Sequence, residues 1–127
     1  MAHRGTVVRW ELYNADLEPA VGREQGGQRR PVLIVSNDGF NRSLDVVTVL
    51  PLTKTAQKVR RVYSFEVMLP ATAAGNPLDS IVMPQQIRTI SKTRLLSRLG
   101  CLNDVSIRRE IEDRILDHLG ISLDAED

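Results

Sequence analysis

Residues 22–38, GREQGGQRRPVLIVSND, run a charged, glycine-containing loop straight into an apolar stretch. Gly26 and Gly27 are free to take positive φ and to let a second backbone come close, while Pro31 fixes its own φ and holds Arg30 extended. The loop therefore ends sharply at Arg30. Val32, Leu33, Ile34 and Val35 form a short β-branched, apolar run of the kind that makes a buried strand, and Asn37-Asp38-Gly39 supplies the turn that closes it. A rigid strand is thus expected beneath Arg29 and Arg30. Taken alone, charged residues in such a loop read first as solvated surface; the rest of the chain has to decide.

On the N-terminal side, Val7, Val8, Trp10, Leu12 and Tyr13 read as a strand that Asp16-Leu17-Glu18-Pro19 ends. On the C-terminal side, residues 46–52, VVTVLPL, read as a second apolar strand, which Pro51 assigns to an edge or a bulge. Residues 53–61, TKTAQKVRR, have no apolar stripe of useful width and read as a basic loop. Strands follow at 65–69 and 80–90 around a turn region at 70–79. Ser91 caps one turn over residues 92–94, and residues 95–102 form the last strand. Asn103 or Asp104 then opens a helix whose Ile107, Ile111, Ile115 and Leu119 recur every four residues on one face, with Gly120 as its stop. These elements predict a β-rich α+β fold, a small curved sheet or barrel with a C-terminal helix over 103–120.

The chain has 127 residues, 42% hydrophobic and 26% charged, which fits one globular domain over 1–127. No apolar run approaches the roughly 20 residues of a membrane span, and MAHRGT lacks the apolar core of a signal peptide, so a soluble, cytoplasmic protein is expected. A lone cysteine, Cys101, forms no internal disulfide and, without a second thiol or a histidine close in sequence, argues against a zinc site. The formal charge of +1 hides an asymmetry. Residues 1–98 hold 14 Lys and Arg against 8 Asp and Glu, and residues 99–127 hold 3 against 8, a split of +6 and −5. A basic body on one face suits a polyanion.

Gly22-Arg23-Glu24-Gln25-Gly26-Gly27 followed by Arg30-Pro31-Val32-Leu33-Ile34-Val35-Ser36-Asn37-Asp38 resembles the strand 2 signature of the MazF/PemK toxin family, G-x-E-Q-G-G-x-R-P-x-x-x-x-x-N-D. Residues 12–19, 49–53, 79–82 and 86–90 resemble further family segments, so the likeness covers most of residues 9–119. It implies an endoribonuclease of a toxin–antitoxin pair, folded as an SH3-like barrel of the CcdB/MazF kind. It also implies a homodimer held inactive by a MazE-like antitoxin, and makes Arg30 and Thr53 catalytic. Two departures stand out. Gln28 and Arg29 occupy the space where the family has one residue, leaving Arg29 or Arg30 to inherit the role, and Pro31 fixes the register in favour of Arg30. Residues 1–8 form an N-terminal extension that matches nothing in the pattern.

The residues fit that chemistry on their own terms. RNA is cut without metal or cofactor when its 2′-hydroxyl attacks the adjacent phosphate, which needs a proton acceptor, a donor at the departing 5′-oxygen, and positive charge at the phosphorane oxygens. Arg30 supplies a planar, permanently charged fork and Thr53 a neutral hydroxyl. Glu24 is the nearest carboxylate, either as base or as a partner that orients Arg30. His3 and His118 do not form a two-histidine pair. An unpaired strand would be carried by Arg23, Gln25, Arg29, Lys54, Lys58, Arg60 and Arg61, with Gln86 and Arg88 either reading bases or lining a solvent-facing strand. Aromatics at 4% leave little for stacking, and Trp10, Tyr13, Phe40, Tyr63 and Phe65 read as core. The alternatives are a CcdB-like gyrase inhibitor, which needs no phosphate site, and a plain RNA-binding SH3-like module, which dispenses with Thr53.

Overall fold

Residues 5–54 and 61–123 are described by the computed structural model, so most of the expected basic loop, Lys58 and Arg60 included, lies outside the described residues, as does His3. Among the described residues seven strands, β1 (Glu11–Ala15), β2 (Arg30–Ile34), β3 (Val46–Lys54), β4 (Val67–Leu69), β5 (Ser80–Val82), β6 (Arg88–Ser91) and β7 (Leu95–Cys101), form one sheet. A short helix α1 (Asp38–Ser43) follows β2, and α2 (Val105–Leu119) ends the fold. Every pairing is antiparallel, in the order β4-β5-β3-β2-β1-β7 with β6 also on β3. The path stays open: among the described residues no pairing joins β4 to β7.

The centre of this sheet is buried on both faces, which is why β2 reads as an unbroken apolar run. Side chains alternate along a strand, so Leu12, Leu33, Leu50 and Leu52 enter one core with Val82, Leu102 and Ile111, while Tyr13, Val32, Ile34, Val47 and Val49 enter another with Val7, Ile90 and Leu95. Val7 thus places part of the unmatched N-terminus in a core.

β3 is the strand on which three neighbours depend, and its Pro51 sits neither at an edge nor in an unpaired bulge. Residues 46–49 pair with β6 and residues 52–54 with β5, leaving Pro51 at the handover between them. Its carbonyl accepts from Met83 N–H at 3.0 Å on that side, where its missing N–H would also point. A proline is tolerated there because the ladder on that side passes from one partner strand to the other.

Other boundaries moved for local reasons. Trp10 is buried as expected, yet it lies before β1 with φ +77°, its ring faced by Arg9 at 4.8 Å and Arg108 at 5.4 Å. Thr53 and Lys54 belong to β3, because β5 pairs with them. The span 80–90 is two strands broken by a 3₁₀ turn at Pro84–Gln86, since Pro84 cannot donate to a ladder. The turn at Lys92–Arg94 does carry its expected Ser91 cap.

α2 is capped by Asp104, whose side chain accepts from the Ser106 hydroxyl and from Ile107 and Ser106 N–H, hydrogen bonds that hold its carboxyl below the usual range. It ends at Gly120 in the left-handed region, φ +70°. Ile111 is fully buried with Ile107 and Ile115 beside it, while Leu119 projects past the core. Cys101 is half-buried against the same cluster.

The turn between β4 and β5 presses directly on β7. Asn76 anchors it by donating to Pro70 O at 3.0 Å and Leu78 O at 2.9 Å, while accepting from Ala74 N–H at 3.0 Å. A Cβ on Gly75 would be driven into the Leu99 carbonyl oxygen, and one on Gly100 into that of Ala74. Gly100→Ala is therefore expected to lower stability by about 1–3 kcal/mol, as overpacking does. Urea unfolding should show a lower midpoint at an unchanged slope; an unchanged midpoint would mean the crossing is looser than described.

Candidate active site

Pro31 creates the local problem that Arg30 solves. The register Val32↔Pro51 sets Pro31 opposite Leu52, where a ladder hydrogen bond is due, and Pro31 has no N–H to give. Arg30 Nη1 donates to the Leu52 carbonyl at 3.3 Å instead, and its Nε donates to Gly26 O at 2.9 Å. With the Gln25 amide turned to satisfy both partners, its oxygen accepts from Arg30 Nη2 at 2.9 Å and Nε at 3.3 Å. These contacts leave one N–H on each terminal nitrogen, the pair that grips a phosphoryl group bidentately. Burial pulls the Arg30 guanidinium below its ordinary pKa.

The loop is shaped to hold that guanidinium. Gly27 has φ +122°, and a Cβ there would come within 3.3 Å of Arg30 Nε. Glu18 staples the other side, its Oε2 accepting from Gly27 N–H at 2.6 Å and its Oε1 from Ala20 N–H at 3.0 Å. Gly26 has no room for a Cβ beside that carboxylate, at 2.6 Å from Oε2. Arg94 Nη1 secures the chain behind it, donating to Asp16 O at 3.0 Å and Glu18 O at 2.6 Å.

One further register step places Thr53 across from Arg30, and a cleft of about 230 Å³ opens between them, lined also by Arg29, Lys54 and Ser80. Thr53 is half-buried and Lys54 exposed. Arg29 turns towards β7, its Nη2 donating to Ser97 Oγ at 3.4 Å. The two arginines thus differ in kind, Arg30 locked under the loop and Arg29 on the rim. Both arginines, Thr53 and Lys54 meet at this one cleft.

Glu24 does not line it. Its Oε1 accepts from Val21 N–H at 2.8 Å within its own turn, and the residue opens on a second cleft with Gln85, Gln86 and Arg88. The groups that orient Arg30 are Gly26, Leu52 and Gln25. Gln86 has both amide ends engaged, accepting from Gln25 N–H at 3.1 Å and donating to Arg23 O at 3.1 Å, so it ties down the segment that carries Arg23. Arg88 Nη1 and Gln85 Oε1 are buried without a hydrogen-bond partner among the described residues. Arg61 lies beyond, over the Tyr63 ring, and His118 is exposed in the last turn of α2.

A family model described as PemK-like, MazF-like toxin of type II toxin–antitoxin systems matches residues 8–119. The chain belongs to this family. Endoribonuclease EndoA of Bacillus subtilis is 39% identical over 117 residues, 92% of this chain and 94% of that relative. Endoribonuclease MazF9 of Mycobacterium tuberculosis is 35% identical over 118 residues, 89% and 96% of the two chains. Among solved structures, Deinococcus radiodurans MazF (Form-I) is similar with a TM-score of 0.77 at 24% identity, covering 93% of this chain and 100% of that one. A mycobacterial endoribonuclease in complex with its cognate antitoxin gives 0.73 at 25%, covering 93% and 99%. The fold is therefore MazF-like, a mainly antiparallel sheet with a C-terminal helix.

In this MazF-like chain, sequence reasoning missed Glu18, Arg94, Ser80 and Ser97. Glu18 meets Gly27 nine residues away, and Arg94 meets Asp16 across 78. No short-range spacing marks such pairs, since the pairing of β1 with β2 brings the first together and that of β1 with β7 the second.

Proposed function

We propose that the chain is the toxin of a type II toxin–antitoxin pair, a sequence-specific, metal-independent endoribonuclease that cuts single-stranded RNA in the cytoplasm. The observation that carries this reading is the half-buried guanidinium of Arg30, held by Gly26, Leu52 and Gln25 with two N–H groups to spare, facing Thr53 in an open cleft. The 2′-oxygen attacks phosphorus as it gives up its proton, the P–O5′ bond breaks, and the departing 5′-oxygen takes a proton from water, so the products carry a 2′,3′-cyclic phosphate and a 5′-hydroxyl. Arg30 and Thr53 hold the phosphorane oxygens. Glu24 is the proton acceptor from the 2′-hydroxyl, a role that requires its side chain to leave Val21 N–H and turn from the neighbouring cleft to within hydrogen-bond reach of the hydroxyl beside the Arg30-held phosphate. Arg23, Arg29, Lys54, Lys58, Arg60 and Arg61 carry the backbone. Gln25 and Gln86 keep the loop in place beneath it, and Arg88 meets the strand at the cleft it shares with Glu24.

The working unit is a homodimer, each protomer a single domain over 1–127 with residues 1–8 as an extension, and its curled, two-faced sheet is read as an SH3-like barrel. Incubating the purified protein with a long single-stranded RNA in EDTA tests the function. Cutting supports the nuclease, retention without cutting a binding module, and neither result a gyrase inhibitor.

The partner is a MazE-like antitoxin presenting an acidic, extended segment that competes with RNA for the basic rim. Reversing charge in the Arg60→Glu/Arg61→Glu variant is expected to weaken both partners about tenfold or more, with the loss shrinking as salt rises. Calorimetry reads the antitoxin affinity directly. If RNA binding falls and antitoxin binding does not, inhibition works from another surface.

A further inference from the structure

The 3₁₀ turn that ties down the loop with Gln86 uses Gln85 for something else. Gln85 Nε2 donates to Glu66 Oε2 at 2.6 Å, and Glu66, only 4% exposed, accepts from Tyr63 N–H at 3.2 Å on its other oxygen. A buried carboxylate thus clamps the turn ahead of β4. From this turn Tyr63 and Phe65 project as a stacked pair, ring centroids 5.3 Å apart and planes within 9°. The Arg61 guanidinium lies 5.7 Å above the Tyr63 ring.

Trp10 and Tyr13 are buried, whereas Tyr63 and Phe65 stand 43% and 47% exposed. The expectation that they belong to the core is therefore wrong. Neighbouring exposed aromatics, fixed from below and topped by an arginine, match the physical needs of an unpaired base, which offers a π-face whatever its identity. Their position suits the same ligand. Gln85 borders a cleft with Phe65 on one side and the cleft of Glu24, Gln86 and Arg88 on the other, and from Glu24 the loop runs on to Arg30.

We propose that Arg61, Tyr63 and Phe65 form a stacking platform for one unpaired base of the RNA, flanking the nucleotides at the Arg30 cleft. This rests on the endoribonuclease reading. The platform grips without selecting by hydrogen bonds, so it contributes affinity and register while base choice resides elsewhere.

The probe is a single-stranded 2′-O-methyl oligonucleotide spanning the mapped cut site, which binds without being cut, titrated into the full chain by fluorescence anisotropy. Phe65→Leu is expected to weaken binding about tenfold, in line with the usual worth of one base–aromatic stack, and Phe65→Tyr to retain it. Removing bases one at a time should weaken wild type at one flanking position and leave Phe65→Leu indifferent there. Equal affinity of Phe65→Leu and wild type, or an abasic profile unchanged by the substitution, overturns the platform while leaving the nuclease intact. Loss of antitoxin affinity with RNA affinity unchanged would give these aromatics to a protein partner and overturn it too. If wild type neither binds the probe nor cuts RNA, the nuclease reading falls first.

Discussion

Arg30→Ala is expected to lower RNA cleavage about 10²–10³-fold, the usual cost of deleting one preorganised donor to a developing anion. The protein should still fold. Arg30 is half-buried at the start of β2, and its loss leaves the Leu52 and Gly26 carbonyls beside an open cleft that water can enter. Arg30→Lys should recover little, because an ammonium cannot satisfy three acceptors and still offer a flat pair of donors. Arg29→Ala is the informative comparison, since Arg29 reaches the Ser97 hydroxyl at the rim. It should weaken RNA binding without a comparable loss in the chemical step, measured as single-turnover rate at saturating RNA. A lethal Arg29→Ala with an active Arg30→Ala would transfer the role to Arg29.

The second large effect lies in the substrate. A single 2′-deoxy sugar on the 5′ side of the scissile phosphate should stop cleavage at that bond altogether, because the attacking oxygen is gone. Neighbouring cuts should continue. Intact substrate should yield 5′-hydroxyl ends that a kinase labels without prior phosphatase treatment. Water activated by a metal would instead leave 5′-phosphate ends and ignore the missing 2′-hydroxyl. Finding those ends would sink the mechanism.

The parts legible in the sequence were those that depend on nearest neighbours. Arg30-Pro31 announced where the strand begins, and the four-residue recurrence from Ile107 together with Gly120 announced α2 and its end. What stayed hidden was set by partners distant in the chain. Pro51 reads as an edge residue until β5 and β6 are seen to divide one side of β3 between them. Glu24 reads as a partner for Arg30 because it is close in sequence, but its turn sends it to Val21. Composition gave no sign that Tyr63 and Phe65 are held outward, since the clamp depends on Glu66 meeting Gln85 across 19 residues.

The two-faced sheet has a consequence for persistence. β1, β2 and β3 send alternate side chains into both cores, so neither core can melt while the other survives. Partial openings that expose cleavable backbone are then confined to the ends of the sheet and the loops, and proteolysis of the centre must wait for the whole domain to open. An inhibitor that is disordered when free has no such protection. If both were exposed to the same proteases, the toxin would outlast its restraint, and a difference in folding cooperativity alone would act as a timer.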